Sequence, residues 1–187
     1  MLVFVDIETT GLDPHCDYIV ELGMVITDDN LRILEKQVNG DDRRAVFSAV
    51  VHNDDNSAAQ MVNRMSEQVR EMHEASGLIA DLESGRGISE REAEDAALEF
   101  LAAFDAEGLP MTGSSVHFDR SFLESDMVRL ARAFGYRNID VSSLKELAKL
   151  WSPEVLWEPQ GVKAHRAVQD ILATMNELSF YRTNFLR

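Results

Sequence analysis

Two carboxylates, Asp6 and Glu8, stand at the end of an apolar segment over residues 2–7 that predicts a β-strand. Side chains alternate between the two faces of a strand, so both carboxylates point to the same side. Two acids buried together repel each other and take up protons unless divalent cations neutralise them. The pair therefore indicates either a divalent metal site or an ordinary exposed strand end, and its spacing fits both.

Three further residues carry potential chemistry. Asp119 follows a predicted strand and turn and opens a predicted helix, where an acid is equally explained as an N-cap. His165 and Asp170 lie at the start of the last predicted helix, and their five-residue separation puts them on one face only if His165 belongs to the preceding loop. Taken singly, each residue has a structural explanation. Their combination with Asp6 and Glu8 is what favours a catalytic or metal-binding site.

The first part of the chain predicts a small antiparallel sheet. Adjacent strands are predicted over residues 2–7, 19–27 and 31–38. A turn signal at residues 28–30 joins the second and third as a hairpin, so we expect a meander. Residues 39–44 are predicted as a loop, and 47–51 as a candidate extra strand.

The rest of the chain alternates helical patterns with short strands. Residues 89–92 (SERE) form a capping box that opens an amphipathic helix through Phe104. Other helices are predicted over residues 58–72, 120–134, 142–150 and 165–185, and short strands over 109–116 and 139–141. Gly135 is the expected C-cap of the helix over 120–134. This order of elements predicts an α/β fold.

Length and composition are typical of one folded domain. The 187 residues suffice for a single core, and 45% hydrophobic and 27% charged residues are near the averages of folded proteins. The single cysteine, Cys16, excludes an internal disulfide, and no apolar segment approaches the roughly 18 residues of a membrane-spanning helix. Because Asp6 interrupts the apolar start, where a signal peptide needs its core, we expect a cytoplasmic protein.

The net charge restricts the partners. The chain has 33 acidic and 18 basic residues, which gives a formal charge of -15. Sequence-specific binding to long duplexes, which needs a basic face, is therefore not expected. A nucleic-acid enzyme remains compatible, because cations bound by clustered carboxylates supply local positive charge and a short oligonucleotide needs only a small basic patch.

At the level of motifs, the chain resembles the histidine-containing branch of the DEDD exonuclease superfamily (DEDDh). The segment 6–11 (DIETTG), Asp119 and the segment 165–170 (HRAVQD) are similar to its three motifs, with four acids and a histidine five residues before the last acid. Within that branch the chain resembles the oligoribonuclease family in segments 10–14 (TGLDP), 73–78 (HEASGL), 113–123 (GSSVHFDRSFL), 140–148 (DVSSLKELA) and 177–185 (ELSFYRTNF). The resemblance covers nearly the whole chain.

This resemblance implies one exonuclease domain over residues 1–187 with an RNase H-like fold: a central mixed five-stranded sheet with an antiparallel three-strand meander, flanked by helices. It implies a 3′-to-5′ exoribonuclease that degrades oligoribonucleotides of two to about five nucleotides to nucleoside 5′-monophosphates by two-metal-ion hydrolysis. Two Mg²⁺ or Mn²⁺ ions, which suit oxygen ligands, would be held by Asp6, Glu8, Asp119 and Asp170. His165 would be the general base that takes a proton from the attacking water.

Residues for the substrate follow from the same resemblance. Leu12 would wedge against the bases, and the 5′ phosphate would be contacted by His73, Thr112 and Ser115. Tyr136 and Arg137 resemble residues that the family contributes from a partner protomer to cap this phosphate, which implies a homodimer. Their alternative explanation is an ordinary aromatic at a helix end and a solvated arginine. A cap would favour dinucleotides, because each extra nucleotide would collide with it.

The chain departs from the family pattern at three places. Gln68 stands where the family commonly has an aromatic or bulky apolar residue, which implies weaker base stacking. Residues 39–48 look like an insertion, and residues 160–164 differ in detail before His165. These departures bear on the preferred substrate length and not on the metal chemistry.

Other functions stay open at this point. One alternative is another DEDDh exonuclease that proofreads DNA or trims tRNA, and the segment 140–148 argues against it. A second is an inactive RNA-binding module of the same fold, which would be expected to lack at least one of the five site residues. A third is a structural Ca²⁺ site, which would not explain the histidine.

Overall fold

A mixed six-stranded sheet is the centre of the computed structural model, which describes residues 1–38, 40–53, 55–159 and 164–186. The strands of the structure are β1 (Leu2–Thr9), β2 (Ile19–Thr27), β3 (Glu35–Val38), β4 (Asp41–Arg44), β5 (Val46–His52), β6 (Ile88–Ser89), β7 (Met111–Gly113) and β8 (Asn138–Asp140), of which β3 and β4 form a separate two-stranded sheet. Its helices are α1 (Ala58–Arg64), α2 (Glu67–Ala75), α3 (Leu78–Glu83), α4 (Glu90–Ala103), α5 (His117–Asp126), α6 (Val128–Ala133), α7 (Val141–Trp151) and α8 (Ala167–Asn184).

The strand order in the sheet is β6-β5-β2-β1-β7-β8. Strands β1, β2 and β5 form an antiparallel meander, while β7 and β8 run parallel to β1. The predicted α/β fold with a mixed sheet and a three-strand meander is confirmed, and β6 adds a two-residue sixth strand at the edge. Because β1, β7 and β8 are parallel, their carboxyl ends meet at one edge of the sheet, where ligands bind in open α/β sheets.

The third strand of the meander is not the predicted one. Residues 31–38 pair with β2 only beside the turn, through a bridge between Thr27 and Ile33 and a hydrogen bond from the Leu34 amide to the Ile26 carbonyl oxygen (3.0 Å). Instead β3 pairs with β4, which lies in the segment 39–44 predicted as a loop. The candidate strand over 47–51 forms the central part of β5, and β5 is the strand that pairs with β2. The reason is burial: β3 and β4 are exposed and have no apolar face to lay on the sheet, whereas β5 has one. Position 39, at the start of the apparent insertion, lies outside the described residues.

The two faces of β1 have different partners. Val3, Val5 and Ile7 belong to a core shared with helices α4, α5 and α6. Phe4 belongs to a second core with α7 and α8, on the opposite face. Since Asp6 and Glu8 continue the alternation that begins at Phe4, both carboxylates lie on the α8 side of the sheet.

Two of the predicted helices are broken. The helix over 58–72 divides at Met65 because the Ser66 hydroxyl caps α2 by accepting from the Val69 amide (3.3 Å). The helix over 120–134 begins earlier, at His117, and divides at Met127. There the Glu94 carboxylate of α4 accepts from the first amides of α6, which allows a new helix to begin.

The remaining helices agree more closely with the sequence. The capping box at Ser89 and Glu92 is confirmed at the start of α4. Helix α8 begins at Ala167, so His165 belongs to the loop before it and not to the helix. Its predicted inward residues are buried: Ala167, Ile171, Met175, Leu178 and Tyr181. Across the described ranges, the helices are too short or too polar to cross a membrane.

Candidate active site

Three predicted site residues come together where β1 meets α8. Glu8 and Asp170 are buried and His165 is half-buried, and each offers one ligand atom within 4.8 Å of the other two. Oxygen and imidazole donors in such a cluster fit a divalent cation. The structure therefore brings together residues that are as many as 162 positions apart in the chain.

The other two acids, Asp6 on β1 and Asp119 on α5, line a cleft beside this cluster. The cleft has a volume of about 260 Å³, and its lining also includes Glu8 and His165. Asp6 follows the same strand alternation as Glu8, whereas Asp119 reaches the cleft from α5. The structure thus places all five residues of the motifs at one edge of the sheet.

Asp119 is not the N-cap that its position in the sequence allowed. Val116 precedes the helix at the cap position, and Asp119 lies in the first turn of α5. Its Oδ1 accepts a hydrogen bond from the backbone amide of Ile7 at 3.0 Å. This bond connects α5 to β1 at the residue between Asp6 and Glu8, and it fixes the position of the Asp119 carboxylate along the strand.

His165 has a left-handed backbone conformation, with φ of 51°. A non-glycine residue in this region is strained by about 1–2 kcal/mol and persists only when its surroundings hold it in place. Ala164, its immediate neighbour, lines an adjacent cavity of about 680 Å³ that also reaches Asp6 and Asp170. The predicted deviation over residues 160–163 lies outside the described residues.

Leu12 stands on the loop between β1 and β2 with 80% of its surface exposed, and it lines the cleft. Asp17 holds this loop, because its carboxylate accepts from the Thr10 hydroxyl (3.1 Å) and the Asp13 amide (3.0 Å). A Cβ on Gly11 would lie 2.3 Å from Asp17 Oδ2, so a larger residue would displace the carboxylate that holds the loop. The exposure of Leu12 suits contact with a base.

Two of the residues predicted to contact the phosphate, His73 and Thr112, are buried. His73 has no exposed surface, and its Nε2 donates to the Thr9 carbonyl at 3.0 Å while Nδ1 lies 4.0 Å from Glu8 Oε2. Burial lowers the pKa of His73, against the hydrogen bond to Thr9. Thr112 is likewise fully buried in β7. Neither side chain lines the cleft, and the predicted phosphate contact of both residues stays a prediction.

Ser115 does line the cleft, with its backbone at φ of 57°. Its amide donates to Asp140 Oδ1 at 2.9 Å, and the Ser142 hydroxyl donates to the same oxygen at 2.6 Å. Ser114 lines both cavities beside it. Sequence reasoning did not single out Ser114 or Ser142, although both stand in segments that carried the family resemblance.

Tyr136 and Arg137 lie on the surface between α6 and β8. Tyr136 is 80% exposed, and the Arg137 guanidinium carbon stands 4.4 Å from the centre of its ring. Neither residue lines either of the two cavities that adjoin Asp6. Gln68, in α2, does not line them either.

Comparison with solved structures shows the fold. The chain superimposes over its full length on exonuclease I of Escherichia coli in a complex with single-stranded DNA, with a TM-score of 0.67 and 15% identity. Exonuclease I of Methylocaldum szegediense gives a TM-score of 0.68 at 16% identity. This chain spans about two fifths of the length of each, 41% in both cases.

Comparison with curated proteins shows the family. An exonuclease family model (RNase_T) matches residues 3–178. The oligoribonuclease of Leifsonia xyli subsp. xyli is 41% identical, with 97% of this chain and 82% of the relative covered. Those of Hahella chejuensis and Photorhabdus laumondii are each 40% identical over all of this chain and cover 95% and 96% of the relative. Since identity of this level extends from end to end and agrees with the motifs gathered at the cleft, the chain belongs to the oligoribonuclease family of the DEDDh exonuclease superfamily.

Proposed function

We propose that this protein is a 3′-to-5′ exoribonuclease that hydrolyses oligoribonucleotides of two to about five nucleotides to nucleoside 5′-monophosphates. The observation that carries the proposal is the cluster of Glu8, His165 and Asp170, with Asp6 and Asp119 lining the cleft that also contains Glu8 and His165. The family membership of the chain supports the choice of substrate.

The residues of the cleft fit a divalent metal cofactor, for which we propose two ions, Mg²⁺ or Mn²⁺. Asp6, Glu8 and Asp170 would hold one ion, Asp6 would also reach the second, and Asp119 would orient its waters. Bound metal lowers the pKa of water and neutralises charge on the scissile phosphate. His165 accepts the proton of the attacking water, a task for which a half-buried imidazole beside two carboxylates is placed.

We propose that the substrate contacts Leu12 and Ser115 from this chain and Tyr136 and Arg137 from the partner protomer of a homodimer. Support comes from the surface position of the last two residues, which are outside both cavities of their own chain. We also propose that the whole chain, residues 1–187, is one exonuclease domain that acts in the cytoplasm.

The first test is a time course on 5′-labelled RNAs of two, five and about twenty nucleotides, with Mn²⁺, with Mg²⁺ and with a chelator. We expect metal-dependent release of monophosphates, fastest on the dinucleotide. His165→Ala should lower kcat about 10²- to 10⁴-fold, as loss of a general base does. Asp119→Asn should also abolish turnover. Asp126→Asn, at the other end of α5, is the matched control and should retain activity.

Three results would contradict this proposal, and each favours a different function. Preference for the long RNA would indicate a trimming nuclease. Preference for single-stranded DNA of equal length, added as a parallel substrate, would indicate the activity named for the exonuclease I relatives of the fold. Metal-independent RNA binding without cleavage would indicate an inactive binding module.

A further inference from the structure

A buried ion pair joins β2 to the beginning of α8. Arg166, at the N-cap of α8, donates through Nε to both carboxylate oxygens of Glu21 at 3.2 Å, and through Nη2 to Oε1 at 3.1 Å. Glu21 is only 2% exposed. Its Oε2 also accepts from the Ala167 amide at 3.0 Å. One carboxylate therefore holds both the side chain before α8 and the first amide of the helix.

The same guanidinium reaches a third element. Arg166 Nη1 lies 2.9 Å from Asp81 Oδ2 on α3 and 3.5 Å from the Ser76 carbonyl oxygen. The planar guanidinium suits such a fixed set of acceptors, which a lysine could not satisfy in the same way. Arg166 thus connects β2, α3 and α8 at a single point.

The strand residues that seat α8 are the direct partners of the acids in the cleft. In the β1–β2 register, Glu21 is opposite Glu8 and Gly23 is opposite Asp6. Residues opposite each other in an antiparallel pair share a face of the sheet. A Cβ on Gly23 would lie 2.7 Å from the Ala167 Cβ, so the absence of a side chain lets α8 approach the strands closely.

Arg166 also stands between two residues of the cleft. It follows His165, whose backbone is in the left-handed region, and its carbonyl accepts from the Asp170 amide at 2.9 Å. We propose that Glu21 and Arg166 are positioning residues that hold His165 and Asp170 against Glu8. This inference rests on the proposed function, because it assigns to the pair a task in forming the metal and proton-transfer site.

A purely structural ion pair elsewhere in the fold provides the matched control. Arg129 on α6 donates to Glu94 Oε2 at 2.7 Å and lies 2.7 Å from Asp95 Oδ1, both on α4. This pair also joins separate elements through a buried carboxylate, and it lines neither cavity at the cleft. Its loss should affect stability without reaching the site.

The experiment compares Arg166→Gln, Arg166→Lys, Glu21→Gln and Arg129→Gln with the wild type. Three quantities are measured: the Kd of Mn²⁺ for the protein without RNA, kcat and KM on a diribonucleotide, and the melting temperature. Loss of groups that orient metal ligands typically weakens metal binding or activity 10- to 100-fold. We expect losses of about that size in Mn²⁺ affinity and in kcat for Arg166→Gln and Glu21→Gln, with KM changed less than about threefold and with Arg166→Lys intermediate. Arg129→Gln should lower only the melting temperature.

The proposal is wrong if Arg166→Gln and Glu21→Gln lower the melting temperature as Arg129→Gln does while Mn²⁺ affinity and kcat stay within about twofold of wild type. If Arg166→Gln does not fold, Arg166→Lys and Glu21→Gln decide by the same criteria. A wild-type protein that binds Mn²⁺ but cleaves no RNA would overturn the proposed function, and the Mn²⁺ comparison would still decide the role of the pair.

Discussion

Side chains near the cleft differ in how burial changes their protonation, and Glu177 on α8 is the clearest case. Burial raises the pKa of the Glu177 carboxyl, opposed by the nearby Lys145. The residue lines the larger cavity that adjoins Asp6 and Asp170. Unlike those two acids, Glu177 is not one of the five proposed metal-binding and catalytic residues, although it begins the segment 177–185. Its charge is therefore a cost to folding that the proposed chemistry does not need.

Replacement of Glu177 by glutamine should stabilise the protein at neutral and alkaline pH. Burial raises the pKa of Glu177 in the folded state, so the protonated carboxyl makes its full contribution to the free energy of unfolding below the ordinary pKa of about 4.5. This contribution is lost as the pH rises through the pKa of the folded state. Glu177→Gln should therefore raise the free energy of unfolding by about 1 kcal/mol at pH 7.5 and change little near pH 4.

Thermal unfolding at both pH values measures this effect. For a chain of this size, we expect the melting temperature of Glu177→Gln to rise by about 2–4 °C at pH 7.5. Glu146→Gln, an exposed acid on α7 whose carboxylate pairs with Lys149 at 2.6 Å, is the control. An equal or lower melting temperature for Glu177→Gln at pH 7.5 would contradict the prediction.

At the scale of elements, the site depends on how closely α8 lies on the sheet. The apolar face of α8 packs on Phe4 and Val25, which are opposite each other in β1 and β2. Two residues further along β1, the pair of Asp6 and Gly23 replaces this apolar contact. The helix can therefore carry Asp170 to the acids of β1 only because Gly23 leaves room for its first turn.

Gly23→Ala should separate α8 from the strands. Overpacking of this kind typically costs about 1–3 kcal/mol, and here it should also weaken Mn²⁺ binding because Asp170 moves with the helix. Calorimetric titration of Mn²⁺ together with thermal unfolding measures both effects. Gly135→Ala, whose Cβ would lie 2.7 Å from the Gly108 carbonyl oxygen, is a comparable clash remote from the cleft. Equal Mn²⁺ affinity in the two variants would contradict the expected coupling.

At the scale of the whole molecule, a net charge of -15 must be reconciled with a polyanionic substrate. Bound cations supply positive charge at the scissile phosphate, and only one or two further phosphates of a short oligomer need a partner. In the homodimer proposed above, Arg137, on the surface beside Tyr136, would meet such a phosphate at the site of the partner protomer. A substrate limited to a few phosphates is therefore consistent with an acidic chain.

Arg137→Ala should raise KM for a diribonucleotide about tenfold or more, since loss of a charge-assisted hydrogen bond costs about 1.5–3 kcal/mol. Mn²⁺ affinity should not change. Steady-state kinetics, with light scattering to measure whether the mass is twice the 21.0 kDa of one chain, provides the check. Arg132→Ala, an exposed arginine of α6, is the control. An unchanged KM in Arg137→Ala would remove the capping role.

Features that depend on short-range rules are predicted from the sequence alone. Alternation along a strand places Asp6 and Glu8 on one face, and hydrogen bonds within four residues make the capping box at Ser89 and Glu92. The helical repeat of α8 shows its buried face. The family motifs also named the five residues that the structure places in the cleft and in the metal-ligand cluster beside it.

Contacts between distant segments follow from the complete fold and not from local patterns. The fold pairs β2 with β5 and only at one end with residues 31–38, it buries His73, and it joins Glu21 to Arg166 across 145 positions. Segments compete for the same buried surface and the same hydrogen-bonding partners, and which pairing is more stable depends on free energies summed over the whole fold. These free energies cannot be obtained from a short stretch of the chain alone.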